Sequence, residues 1–352
     1  MVSSCRTTSE RVPPVGSEFT LIWTIVNPMA FFKHTQSAPV EEATDTSSQV
    51  ALPLAAPETK DGVRDFWQHW DYLLGMVPEL AEFGVPVLDA IDLTLNESIL
   101  AEQDMTPDFR AGDVVIDKGT KVVPRMLGLL TGMGIRKVMA RPSPRVLVIA
   151  LSEAAVPASY LVTAQAQEVG AQAHRLEYIT TAPDQVVGSI LEQLVRADLI
   201  ITVGGMGEAG FDLKKVADQI GPCDFTPVAI TPGSNHGFAL AEQKVPLLAL
   251  PADVYATFVL MKLLAEPMIA KLMGANTDPA ISSAYLAQPL RITPKILTCV
   301  PAMVSDARMT ITGRPVGLAG LNMIYRANAL ALLTTDDGLV DVNSEAFYLP
   351  LA

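Results

Sequence analysis

The sequence predicts an α/β protein: a three-layer sandwich with a mostly parallel sheet, preceded by a helical N-terminal segment and followed by a small β domain. Three observations carry this. Short apolar, β-branched runs alternate with helical patterns between residues 145 and 274. One of these runs, Leu199-Ile200-Ile201-Thr202-Val203, empties through Gly204 and Gly205 toward a helix start at Phe211-Asp212. From about Pro289 onward the helical periods give way to short strand-like runs.

Residues 1–62 read as a disordered tail, because 40–60 is rich in Ala, Thr, Ser, Pro and acidic residues with no sustained period. Residues 63–143 form the helical and mixed N-terminal segment. Phe66, Trp67, Trp70, Leu73 and Leu74 recur at helical spacing over 65–80, and Leu88, Ile91, Leu95, Ile99 and Leu100 suggest a second helix over 87–103. A short strand at Val114-Val115-Ile116 follows, then a helix over 122–133 stopped by Gly134, then a brief strand at 135–138.

The α/β domain spans 144–275. Strands are expected at 146–151, 172–178, 199–203, 226–230 and 245–250, and helices at 157–169, 184–196, 213–220 and 256–273. Buried parallel strands read as continuous apolar runs, which is the texture here. Ligands of such sheets sit beyond the carboxyl ends of the strands. A strand that passes through glycines into a helix start presents backbone N–H groups there, and these suit an anion such as phosphate. The spacing is not GxGxxG, so a dinucleotide fold is not the first reading. The small β domain covers 285–352, with strands at 290–304, 309–316 and 345–351 and one helix or strand near 318–330.

Composition narrows the function classes. At 352 residues, with 49% hydrophobic and 18% charged residues, most of the chain should be packed globule. A net charge of −13 argues against nucleic acid as the partner. Cys5, Cys223 and Cys299 lack any CxxC spacing, and His34, His69, His174 and His236 lack metal-ligand spacing. Nucleophilic hydrolysis is therefore disfavoured, and the cysteine usage fits a reducing cytoplasm. The apolar stretch at 19–32 is broken by Asn27-Pro28 and is too short for a bilayer, so no membrane partner is expected.

The order of the pieces resembles the molybdopterin molybdenumtransferase family, the bacterial relatives of the gephyrin E domain. The residues that carry the resemblance are Ala111-Gly112-Asp113, Gly119, the run from Val123-Pro124-Arg125 to Gly134, Pro144-Arg145-Val146, the stretch 197–212, Thr231-Pro232-Gly233, Leu250-Pro251, Glu266-Pro267 to Gly274, and Ala327-Asn328-Ala329-Leu330. The resemblance implies a molybdopterin-binding fold, adenylylated molybdopterin as substrate, and a magnesium-dependent insertion of molybdate that releases AMP. It also implies that two subunits pair, as a homodimer or with a paralogue. Carried onto this chain, Asp212 and Glu153 stand at catalytic positions. Gly204, Gly205, Gly207, Gly233, Ser234, Asn235, His236 and Pro251 stand at cofactor-binding positions, and Asp212 and Asp253 at positions for the metal. Where the family has Thr-Gly-Asp-Glu this chain reads Leu151-Ser152-Glu153-Ala154, and its Lys-Pro-Gly-Lys-Pro loop reads Thr231-Pro232-Gly233-Ser234-Asn235. The domain carrying the Asn-Ser-Ala-Met-Asp-Gly-Tyr-Ala-like signature is absent from the sequence between the first helices and Gly112. Two readings stay open: a molybdopterin molybdenumtransferase-like enzyme, or a catalytically silent molybdopterin- or nucleotide-binding assembly protein on the same scaffold.

Overall fold

The computed structural model describes residues 51–104, 109–179, 182–206, 212–313 and 317–351. The tail expected over residues 1–62 lies mostly outside these residues. The described part opens with a small hairpin, β1 (Thr59–Lys60) and β2 (Val63–Arg64), followed by helix α1 (Phe66–Met76). Asp65 starts α1 by accepting the Trp67 and Gln68 amides at 3.0 Å, an N-cap that satisfies two orphan donors. The apolar stripe Phe66, Leu73 and Leu74 is buried as expected, but it packs into the core of the central domain. Trp70 Nε1 donates to the Leu263 carbonyl at 2.9 Å and pins the helix there.

The second expected helix does not form. Instead the chain makes β3 (Phe83–Pro86), a 3-10 turn at Val87–Ala90, β4 (Thr94–Leu95) and β5 (Ile99–Leu100). Asp92 adopts a left-handed φ of 67°, which ends any helix at that point. Leu88 and Leu100 are exposed while Leu95 and Ile99 are buried, so the helical spacing of the apolar residues was fortuitous. Next come β6 (Val114–Ile116), α2 (Pro124–Gly132) and β7 (Lys137–Arg141). β7 joins β3 and β4 in an antiparallel sheet, and β5 pairs with β6. Val85, Leu95, Ile99, Ile116, Leu130 and Val138 form their shared core.

The central domain contains β8 (Arg145–Ala150), α3 (Val156–Glu168), β9 (Gln172–Glu177), α4 (Pro183–Gln193), β10 (Leu199–Val203), α5 (Leu213–Ile220), β11 (Cys223–Asp224), β12 (Ile230–Thr231), β13 (Gly237–Ala241), β14 (Val245–Leu250), α6 (Val254–Leu260) and α7 (Glu266–Leu272). Its sheet runs β11-β13-β14-β10-β8-β9. β14, β10, β8 and β9 are parallel, whereas β13 is antiparallel to β14 and β11 to β13. The sheet is thus mixed and mostly parallel. Side chains alternate across it: Val146, Val148 and Ala150 face the core shared with α1, α3, α6 and α7. Leu147 and Ile149 face the core under α4 and α5, which completes three layers.

Three differences from the sequence reading concern this domain. β13 is an additional strand, turned into β14 through Glu242 and Gln243 at φ 46° and 58°. A tight hairpin of this kind normally advertises itself through Gly or Asn, and these residues gave no such signal. The strand expected at 226–230 shrinks to β12, which pairs in parallel with Leu297 and Thr298 of the C-terminal domain, outside the central sheet. The long apolar helix expected at 256–273 is α6 and α7 joined by a π-helical turn at Met261–Ala265.

The C-terminal domain consists of β15 (Ser282–Leu286), β16 (Leu290–Arg291), β17 (Leu297–Ser305), β18 (Arg308–Ile311), α8 (Gly317–Arg326), β19 (Ala329–Leu333), β20 (Leu339–Val340) and β21 (Glu345–Pro350). The order β17-β18-β15-β21-β19, with β19 returning to β17, closes a five-stranded barrel. Its inside is lined by small and branched residues, among them Ala284, Ala302, Ala329, Ala331, Val300 and Leu286, as a narrow barrel requires. Tyr255 on α6 donates its hydroxyl to the Cys299 carbonyl at 2.9 Å and ties the barrel to the central domain. Among the described residues no helix is long and apolar enough to cross a membrane.

Candidate functional site

The strand order reverses between β8 and β10: β9 lies to one side of β8, and the chain then crosses to place β10 on the other. The carboxyl ends of these two strands therefore flank a topological switch point, where open α/β sheets bind ligands. Leu151, Ser152 and Glu153 leave β8 there, with the Leu151 amide donating to the Val203 carbonyl at 2.9 Å. Glu153 is exposed on a single 3-10 turn, Glu153–Ala155.

Gly204 and Gly205 leave β10 with φ of 87° and 77°, two successive left-handed conformations that a side chain would strain. The Gly204 amide donates to the Leu250 carbonyl at 2.9 Å, so it is spent inside the sheet and is not available to an anion. The Gly205 carbonyl accepts from the Leu213 amide at 3.1 Å, and Met206 bridges Asp212, which closes the loop at its base. Gly207, within that loop, lies outside the described residues.

Asp212 caps α5, its Oδ1 accepting the Lys214 amide at 3.1 Å; Lys215 Nζ stands 3.9 Å from Oδ2. Pro251 leaves β14 and its carbonyl accepts the Thr257 hydroxyl at 2.7 Å. Asp253 caps α6 by accepting the Ala256 amide at 2.8 Å. Both aspartates expected at the metal thus spend one carboxylate oxygen on a helix amide. Among the described residues no group of three or more His, Cys, Asp or Glu side chains is arranged to hold a metal.

The loop 231–236 reaches the same edge by another route. β13 runs antiparallel to β14 with Gly237 opposite Ala249, so the residues before Gly237 lie beside Leu250. Gly233 has φ of 101°, and a Cβ there would stand 2.9 Å from the Leu260 side chain. Gly233 and Ser234 line a cavity of about 350 Å³ together with Val63, Thr231, Thr293 and Ile296. This cavity opens between the loop and the C-terminal domain, and Gly204 and Gly205 are not among its lining residues. Asn235 is exposed at the same turn. Two larger cavities, of about 630 and 430 Å³, contain none of the expected site residues.

His236 sits differently from the expectation of a ligand contact: it is 1% exposed and both ring nitrogens are occupied. Nδ1 lies 2.8 Å from the Gly233 carbonyl and Nε2 lies 2.9 Å from His69 Nε2. Burial holds the His236 pKa down at about 4, against the opposing pull of the Gly233 carbonyl. Burial, then the neighbouring His236 and Arg64, pushes His69 to about 2. Arg64, itself 2% exposed, reaches His69 Nδ1 at 3.1 Å and the Asp224 carboxylate at 2.9 Å. Burial alone would raise the Asp224 pKa, but hydrogen bonds from Thr226 and the Arg64 charge hold it below the usual carboxylate value. Sequence reasoning missed this network because its members come from β2, α1, β11 and the loop before β13, more than 150 residues apart at the extremes. It also passed over Lys214 and Lys215, exposed cations in the first turn of α5.

Comparison with known proteins adds a family signal. Residues 157–271 match the family described as probable molybdopterin binding domain. The chain is 30% identical over 253 residues to molybdopterin molybdenumtransferase 2 of Mycobacterium tuberculosis, covering 60% of each protein. It is 29% identical over 183 residues to molybdopterin molybdenumtransferase 1 of the same species, covering 47% of this chain and 43% of that one. With the molybdopterin molybdenumtransferase of Bacillus subtilis it shares 28% over 245 residues, 64% of this chain and 57% of the relative. The chain thus spans about half the length of the curated relatives it matches. Among solved structures, the molybdopterin biosynthesis moeA protein from Pyrococcus horikoshii aligns with a TM-score of 0.67 at 13% identity, over 82% of this chain and 100% of that one. A molybdenum cofactor biosynthesis protein from Pyrococcus furiosus aligns at 0.66 and 19%, with the same coverage. At these identities the structural likeness speaks to the fold.

Proposed function

We propose, since this chain belongs to the molybdopterin molybdenumtransferase family as a distant member, that it acts in molybdenum cofactor biosynthesis by binding adenylylated molybdopterin at the carboxyl edge of its central sheet. The observation that carries the reading is the convergence of the β8, β10 and β14 exits and the loop 231–236 on one edge, at the switch point. In this reading Gly205 lets the backbone approach a phosphate, and Lys214 and Lys215 supply the positive charge at the start of α5. The cavity beside Gly233 and Ser234 is lined by apolar and hydroxyl side chains with no charged group, which suits the uncharged heterocyclic end of the ligand.

Magnesium fits as a phosphate-borne ion. It binds through one or two carboxylates plus substrate phosphates and keeps several waters, so it needs no enclosed protein cage. Asp212 and Asp253 would hold it, each through a carboxylate oxygen not engaged in capping, with Glu153 as the acid nearest the β8 exit. When bound, the ion would neutralise phosphate charge during loss of AMP. The chain's own contribution is to bind and orient the ligand, and molybdate insertion with AMP release is the finer activity proposed. The same edge supports a second reading: Thr231 and Ser234 are neutral where the family has lysines, so a silent binding or assembly protein, as a homodimer or beside an active paralogue in the cytoplasm, rests on the same site. Calorimetric titration with AMP and with adenylylated molybdopterin, with and without magnesium, tests both. Binding with molybdate-dependent AMP release supports the enzyme, binding without release supports the silent scaffold, and no binding at millimolar ligand overturns the site.

A further inference from the structure

The buried network behind His236 has a fixed proton order. The Gly233 carbonyl can only accept, so His236 Nδ1 donates to it across 2.8 Å. A neutral His236 then has a bare Nε2, which must accept from His69 Nε2 at 2.9 Å. His69 is left with a bare Nδ1, which accepts from the Arg64 guanidinium at 3.1 Å, an always-charged donor. Arg64 in turn is held by Asp224 at 2.9 Å and lies over the Tyr72 ring, 5.2 Å from its centroid. From Arg64 onward every donor points the same way, toward the loop, while Arg64 also donates to the Asp224 carboxylate behind it. Protonating either imidazole would set two N–H groups against each other or an N–H against Arg64.

We propose that Arg64, His69 and His236 are positioning residues, which through this one-way chain hold the Gly233 carbonyl and so the loop 231–235 in the shape that walls the ligand cavity. This rests on the binding reading of the preceding section and adds to it a role for α1, which contributes nothing to the cavity directly. The loop is also tethered where Thr231 pairs with Thr298 of β17 and where the Val228 amide donates to the Ser234 carbonyl at 3.1 Å. The groups that face the two imidazoles are Arg64 from β2, Asp224 from β11 and Tyr72 from α1. Because the imidazoles are buried and neutral, the ordered state belongs to neutral pH and is lost in acid.

The test combines nitrogen-15 imidazole spectra of the full chain with AMP titration of three proteins. Wild type at neutral pH should show His236 as the Nδ1–H tautomer and His69 as the Nε2–H tautomer. His69→Gln keeps a donor toward His236 and an acceptor toward Arg64, and should bind AMP within about threefold of wild type. His69→Leu keeps neither, and should bind AMP about tenfold more weakly while the Val228 amide exchanges faster with solvent. Reversed tautomers in wild type, or a folded His69→Leu protein with wild-type AMP affinity and Val228 exchange, would overturn the proposal. If wild type binds no AMP, the ligand reading falls, and with it the claim on the cavity. The expected tautomers together with faster Val228 exchange in His69→Leu would then still support a chain that orders the loop. Should His69→Leu fail to fold, the wild-type tautomers and the behaviour of His69→Gln decide.

Discussion

The two buried imidazoles make a quantitative demand on stability. Both are neutral in the fold, with pKa values near 2 for His69 and 4 for His236, and both return to about 6.5 in the unfolded chain. Below pH 6.5 the unfolded state therefore binds protons that the folded state does not. Stability is retained at neutral pH and lost as the pH falls from 6.5 toward 4. Between about pH 7.5 and about pH 5, each histidine should withdraw about 2 kcal/mol, about 4 kcal/mol for the pair, since each unit below the unfolded pKa is worth about 1.4 kcal/mol. Asp224, whose pKa is also lowered, acts at lower pH, where unfolded aspartate titrates, so it leaves this window nearly untouched. The assay is the urea midpoint and slope at half-unit steps of pH, for wild type and His69→Gln. Removing one imidazole should flatten the pH dependence by about half. Parallel curves for the two proteins would refute a buried, neutral His69.

Three other perturbations follow from named contacts. Replacing Asp253 with Ala removes the α6 cap and should cost about 1 kcal/mol, seen as a lowered melting temperature; an unchanged melt would mean the Ala256 amide finds another acceptor. Tyr255→Phe leaves the buried Cys299 carbonyl without its donor and should cost about 1–3 kcal/mol, with the barrel's near-ultraviolet dichroism as the local readout. Gly205→Val should abolish phosphate-ligand affinity by filling a left-handed turn; an unaltered AMP isotherm would move the site elsewhere.

What could be read from the sequence followed from local periodicity. The fully buried runs of β8 and β10 announced a parallel sheet, and α5 is amphipathic enough to be bounded without coordinates. What could not be read was set by residues distant in sequence. β13 hides because its turn uses Glu242 and Gln243, and β12 because its partner lies in the C-terminal barrel. The helical spacing at 87–103 was overruled by burial, as Leu88 and Leu100 face solvent. At the candidate site, Gly204, Gly205 and Gly233 hold the positive φ that glycine adopts without strain, which is the local part of the reading. The fate of His236 was invisible, because nothing near it in sequence names His69 or Arg64 as its partners.

The edge of the sheet also separates two jobs that a short motif had seemed to combine. The Gly204 amide completes the sheet by bonding Leu250, so in the proposed binding reading the charge at that turn comes from the cations of α5. Gly233 supplies contact with Leu260 on one side and the Ser234 cavity on the other, while its carbonyl is held from behind by His236. A backbone cradle needs its peptides fixed before the ligand arrives, since ordering them on binding would subtract from affinity. In this chain the fixing comes from β14 for one loop and from α1 for the other. His69→Leu on α1 should therefore weaken AMP binding although no α1 residue lines the cavity, and an unchanged isotherm in the folded variant would refute this.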